Sequence, residues 1–156
     1  MYGMFRRVLL PTDFSEEATV AVERILSSSE SKPRELILLH VIDPKLLEAI
    51  VEATRGSHPS EAQAREAAFS TLKSEAEKKL RAVRERMGRY ADTVITEVRV
   101  GKPSEEIVKA ADEHDVDLIL IPSRSTVGIE SFVFGSVALG VLEMTSKPVL
   151  VVKLPE

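Results

Sequence analysis

Four uninterrupted apolar runs punctuate this chain: "RVLLP" at 7–11, "LILLHVI" at 36–42, "LILIP" at 118–122 and "PVLVV" at 148–152. A strand that alternates apolar with polar residues shows one face to water, whereas an unbroken run must be covered on both faces. Parallel strands sandwiched between helices have that property. Between the runs the apolar spacing changes from continuous to three and four, the helical period, so the order reads βαβαβαβαβ. A further segment, "TVITEVRV" at 93–100, alternates instead, with Val94, Thr96, Val98 and Val100 set against Ile95, Glu97 and Arg99, as suits a strand at a sheet edge.

The helix boundaries are written in capping residues. Ser15 followed by Glu16 and Glu17 predicts a helix start, because the serine hydroxyl satisfies an unpaired N–H and carboxylates complement the positive end of the dipole. Ala18, Val22, Ile25 and Leu26 then form its expected buried stripe. The longest helix is expected from Ser60, where Ser-Glu-Ala-Gln matches a capping box, through a stripe of Phe69, Leu72, Ala76, Leu80, Val83 and Met87 to a stop at Gly88. A third opens at "GKPSEEI" with Ser104 as its cap. Between the second strand and the long helix, segment 44–60 predicts a short helix from Lys45 to Thr54 and a loop through Gly56 and Pro59. It reads as a packed surface helix, or as a lid or partner surface.

Composition narrows the function classes. The 156 residues fit one domain, and no internal repeat or linker divides residues 1–156. Twenty-one Lys and Arg against 25 Asp and Glu give a net charge of −4, so there is no overall basic field to draw nucleic acid or anionic lipid. No apolar run approaches the roughly 20 residues of a membrane span. Cysteine is absent, which removes thiol chemistry and disulfides and suits a reducing cytoplasm. His40, His58 and His114 show no metal-ligand spacing, and each reads as structural or solvated.

In an open doubly wound sheet, ligands collect beyond the carboxyl ends of the strands, where the strand order reverses. Those ends are "PTDFS" with Asp13, "HVID" with Val41 and Asp43, and "PSRS" at 122–125. Gly135 and Ser136 then open the last helix, whose unpaired N–H groups suit a phosphate. Ser136 reads as a phosphate contact or simply as an early helix residue, and Asp13 as a ligand group or as a turn residue before the Ser15 cap.

Taken in order, "RVLLPTDFS", "LLHVID", "VRVGKPSEEIVKAADEHDVDLILI" and "FGSVALGVLEMTSKPVLVVK" resemble the universal stress protein family over nearly the whole chain. The resemblance implies a single-domain, doubly wound five-stranded parallel sheet in the order 3-2-1-4-5, with helices on both faces. It also implies a homodimer paired through the last strand, Val149, Leu150, Val151, Val152 and Lys153, and in one branch of the family an ATP site. Adenine and ribose would meet Pro11, Thr12, Asp13 and Val41. Phosphates, with magnesium, would meet the loop holding Ser123 and Ser125, and then Gly135 and Ser136; within that loop Arg124 reads as a phosphate contact or as a solvated side chain, and Gly128 as a substitute hinge.

That branch carries Gly, two residues, Gly, nine residues, Gly, then Ser or Thr. Here Pro122 and Ser125 stand where its first two glycines belong. Proline offers no N–H and fixes φ near −65°, while serine resists the left-handed backbone by roughly 1 kcal/mol. The loss of one charge-assisted bond weakens binding by roughly ten- to a hundredfold.

No nucleophile with its base, Gly-x-Ser-x-Gly elbow or complete Walker loop is present. The expected function is therefore non-catalytic binding of ATP or another adenine nucleotide, weakened at the phosphate loop, in a cytoplasmic regulatory protein. A ligand-free dimeric interaction module with unknown protein partners is the alternative, and slow ATP hydrolysis comes last.

Overall fold

The computed structural model describes residues 5–28, 32–123 and 135–154. The strands are β1 (Arg7–Pro11), β2 (Glu35–Ile42), β3 (Thr93–Val100), β4 (Leu118–Ser123) and β5 (Val149–Lys153). The helices are α1 (Glu16–Ser27), α2 (Pro44–Ala53), α3 (Glu61–Met87), α4 (Pro103–Glu113) and α5 (Ser136–Met144), with a 3-10 turn at Arg55–Ser57. The sheet is parallel throughout in the order β3-β2-β1-β4-β5, as the resemblance implied, and the alternating strand β3 lies at one edge. None of the helices among the described residues is long and apolar enough to cross a membrane.

The equally continuous β5 departs from expectation, with none of its residues buried and Leu150 40% exposed. β1, β2 and β4 bury both of their faces, and each face has its own core. Val8, Leu10, Leu36, Leu38, Leu118 and Leu120 pack with Val22 of α1 and with Leu80 and Met87 of α3. On the opposite face Leu9, Ile37, Leu39, Ile119 and Ile121 pack with Ile107, Ala110 and Ala111 of α4 and with Ala138 and Val141 of α5. Each fully buried Leu or Ile contributes about 1.5–3 kcal/mol of apolar transfer. That two-sided covering is why those segments show no alternation.

The helix starts follow the capping chemistry in three places. The hydroxyl of Ser15 accepts the Ala18 N–H at 3.3 Å, Ser60 accepts from Gln63 at 3.2 Å, and the carboxylate of Asp43 accepts from Lys45 at 2.8 Å, so α2 begins one residue before its expected start. Gly88 does end α3, but with right-handed φ of −58° rather than as a left-handed stop.

Two expectations are corrected. Ser104 does not cap α4: Lys102 occupies that position without a side-chain bond and Pro103 fills the first turn, where its missing N–H costs nothing. Ser104 is instead buried against α5. Phe69 and Ile25 lie at 37% and 38% exposure rather than in the core. For Phe69 the reason is length. A helix of 27 residues runs about 40 Å, whereas the eight residues of β2 span about 26 Å. The first half of α3 therefore overhangs the sheet and packs on α2 instead, around Leu47, Val51, Ala64 and Ala68. Arg65 ties the pair by bonding to Glu48, and the Lys73 ammonium stands 5.9 Å from the Phe69 ring.

Candidate functional site

β1 is the strand at which the order reverses, since β2 adjoins it on one side and β4 on the other. A cavity of about 390 Å³ opens beyond its carboxyl end, on the face covered by α4 and α5. Pro11, Thr12, Asp13, Val41, Ser123, Gly135 and Ser136, all named from the sequence, line it together. Arg124, Ser125 and Gly128 lie outside the described residues.

Short hydrogen bonds fix the loop after β1. The Thr12 N–H donates to the Leu39 carbonyl at 2.8 Å, Phe14 N–H to the Thr12 hydroxyl oxygen at 3.0 Å, and Ser15 N–H to Asp13 Oδ1 at 2.9 Å. These bonds hold Phe14 at φ 69°, a conformation that costs a bulky residue about 1–2 kcal/mol. The Phe14 ring lies 4.5 Å from that of His40, and the Lys79 ammonium stands 5.5 Å from it on α3. His40 Nδ1 lies 3.0 Å from the Thr12 carbonyl, which can only accept, so this nitrogen carries the hydrogen. His40 thus serves as a brace for the loop. His114 is likewise engaged, 2.8 Å from Glu97, and the described residues contain no metal-binding group of His, Asp or Glu.

The other wall is the junction of β4 with α5. Ser123 is buried, and its hydroxyl oxygen accepts the Gly135 N–H at 2.9 Å, which fixes the position of the helix start. Gly135 caps α5 with extended backbone and no side-chain bond, so the first turn of α5 faces the cavity with its N–H groups unclaimed by a cap. Gly140, one turn further on, lets α5 approach α4: a Cβ there would stand 2.8 Å from that of Ser104.

Pro122 also lines the cavity, in register with Val152 of β5 and beyond the last β1–β4 pair, Leu9 with Ile119. The Ile119 N–H and the Ser123 carbonyl are both bonded on the β5 side. By alternation the Pro122 nitrogen points the other way, toward the crevice. The proline costs the sheet no ladder bond, yet it removes a donor from the crevice.

Sequence reading missed Pro103, Ile107, Ala138 and Leu154 as lining residues, and with them Ala18, Leu39, Ile121 and Val137. The one available signal was Pro103 itself: a helix that follows a parallel strand starts at the carboxyl edge, and proline there marks its first turn.

Comparison with known proteins agrees with the fold. Residues 4–153 match the model of the universal stress protein family. Universal stress protein MJ0577 of Methanocaldococcus jannaschii is 32% identical over 158 residues, which cover 98% of each chain. The solved structure of hypothetical protein MJ0577 matches at a TM-score of 0.75 and 31% identity over 99% of both chains. Hypothetical protein PH0823 matches at 0.62 and 40% identity over 97% of both. A universal stress protein solved in complex with cAMP shares the fold at a TM-score of 0.53 and 23% identity, over 98% of this chain and 100% of that one. The chain belongs to the universal stress protein family.

Proposed function

We propose that this protein binds an adenine nucleotide in the crevice beyond β1 and acts through that binding rather than by turnover. The observation that carries the reading is the convergence of three kinds of group on one 390 Å³ cavity. The backbone at Asp13 and Val41 can hold a base by its edge, beside Thr12, whose N–H and carbonyl are already bonded. The Asp13 carboxylate has an oxygen beyond the one bonded to Ser15, suited to ribose hydroxyls. The start of α5 offers N–H groups and a positive dipole end to phosphate. The cAMP complex of a protein with this fold fits the same reading.

The quaternary part of the proposal is an isologous homodimer. Among the described residues β5 has β4 on one side only, and Leu150 is 40% exposed on it. An apolar edge of this kind recruits another strand.

The first test is to denature the purified protein, identify released small molecules by mass spectrometry, and titrate the emptied protein with adenine nucleotides, with and without magnesium. Stoichiometric nucleotide or saturable micromolar binding supports the reading. An empty crevice with no saturable binding overturns it in favour of a ligand-free interaction module. The overhanging α2–α3 pair, with Leu46 at 51% exposure, favours that second reading.

A further inference from the structure

The second half of α3 carries more positive charge than the fold uses. Between Lys78 and Arg89 stand six cations and one carboxylate, in a chain whose net charge is −4. Other cations of this helix are paired: Arg65 bonds to Glu48, Lys73 lies 4.0 Å from Glu77, and Arg86 donates to both Glu16 and Glu23 at 2.8 Å. Lys78, Arg81, Arg84 and Arg89 are exposed, and none of them meets a carboxylate among the described residues.

The helix dipole accounts for part of this charge. Arg84 and Arg86 lie in the last turn of α3, where a cation complements the unpaired carbonyls. That effect fades within one turn, and Lys78 and Arg81 stand more than a turn before the end at Met87. Like charges three or four residues apart on a helix repel. The row of Lys78, Arg81 and Arg84 therefore works against the isolated fold, with Glu85 the one carboxylate of the segment to offset it.

The shape of the row selects its partner. Leu80 and Met87 are fully buried, and the exposed side chains between the cations are those of Ala82 and Glu85. The segment thus offers lipid no large apolar group and offers a nucleic-acid base no exposed ring. Glu75 and Glu77 are exposed one turn earlier, so a long phosphate chain laid along the helix would run from the row onto like charge. The row is short, rising about 9 Å from Lys78 to Arg84. Its steps of about 4.5 Å match carboxylates three or four residues apart on a second helix, which repeat every 4.5–6 Å or about that. Arg81 and Arg84 each present a planar fork that can take a carboxylate by two bonds.

From this charge complementarity we propose that Lys78, Arg81 and Arg84 dock a short acidic helical segment of a partner protein. The docking does not depend on what fills the crevice beyond β1.

The test is fluorescence anisotropy of a labelled helical peptide of about 15 residues, with Glu at every third or fourth position, titrated with the full chain. Binding should saturate at about 50 mM salt and weaken at least tenfold by about 300 mM. Lys78→Glu with Arg81→Glu should weaken it at least tenfold at low salt. Lys45→Glu with Lys102→Glu makes an equal change in net charge at exposed positions outside the row, and should weaken it by less than about threefold. Where circular dichroism shows that the reversed charges disturb folding, Lys78→Gln with Arg81→Gln should show a loss in the same direction.

Equal losses in the two charge-reversed proteins would reduce the effect to net charge and overturn the docking row. No saturable binding of the peptide at low salt would overturn it outright. A DNA duplex or a phosphatidylserine vesicle bound more tightly than the peptide, and released by the same double substitution, would overturn the acidic partner and assign the row to phosphate.

Discussion

Ser123, the last residue of β4, and Gly135, the cap of α5, are joined by a 2.9 Å bond from the glycine N–H to the serine hydroxyl oxygen. This bond places the start of a helix against the end of a strand, so the anion-directed end of α5 is positioned by the sheet. Ser123→Ala removes the acceptor and leaves a half-buried N–H without it, at a cost of about 1–3 kcal/mol. Urea denaturation should show that loss in the midpoint with an unchanged slope, together with weaker nucleotide binding. Unchanged stability and affinity would mean that the bond does not position α5.

The approach of α5 to α4 gives a second expectation. At Gly140 an added methyl would meet Ser104 Cβ at 2.8 Å and its hydroxyl oxygen at 2.9 Å. Gly140→Ala should destabilise the protein by about 1–3 kcal/mol through overpacking. Ser104→Gly in the same chain removes both obstructing atoms and should recover much of the loss. A double variant no more stable than Gly140→Ala would place the strain elsewhere.

These two contacts also mark where the sequence was legible. Strand ends and helix caps are local, so Asp13, Val41, Ser15, Ser60 and the Gly135–Ser136 start could be read from a few residues each. Contacts that depend on how two elements pack could not. "KPSEEI" looks like a serine cap until Pro103 takes the first turn and turns Ser104 toward Gly140. Phe69 keeps the helical period of Ala76, Leu80 and Met87, but periodicity carries no information about where the sheet beneath the helix stops. Ile107, Ala138 and Leu154 enter the crevice through tertiary packing alone.

The overhanging helices carry a pH dependence. The hydrogen bond from Arg65 holds the Glu48 carboxyl below its ordinary value. A carboxyl depressed in the folded state contributes stability that is fully present above the unfolded value, near 4.3. That contribution is lost as pH falls through the depressed one. Both side chains are exposed, so salt screens the effect. Protection of α2 amides, corrected for intrinsic exchange, should therefore fall from about pH 6 to about pH 3 and fall less in Glu48→Gln. Equal declines in the two proteins would remove this pair as the cause.

The free edge of β5 gives the last expectation. The Leu154 N–H donates to the Ser123 carbonyl and the Pro148 carbonyl accepts from Ile119, so the even-numbered backbone groups of this segment face β4. By alternation those of Val149, Val151 and Lys153 face outward. Val151→Pro deletes an outward N–H and leaves the β4 ladder its donors, a position at which a sheet tolerates proline. If two copies pair through this edge, the wild type should sediment as a dimer at micromolar concentration and the variant as a monomer with its circular dichroism retained. Leu150→Lys keeps every backbone group and brings like charges together across the two-fold axis, so it serves as the control where proline disturbs folding. A dimer that survives both substitutions would move the interface off β5, and a monomeric wild type would remove it.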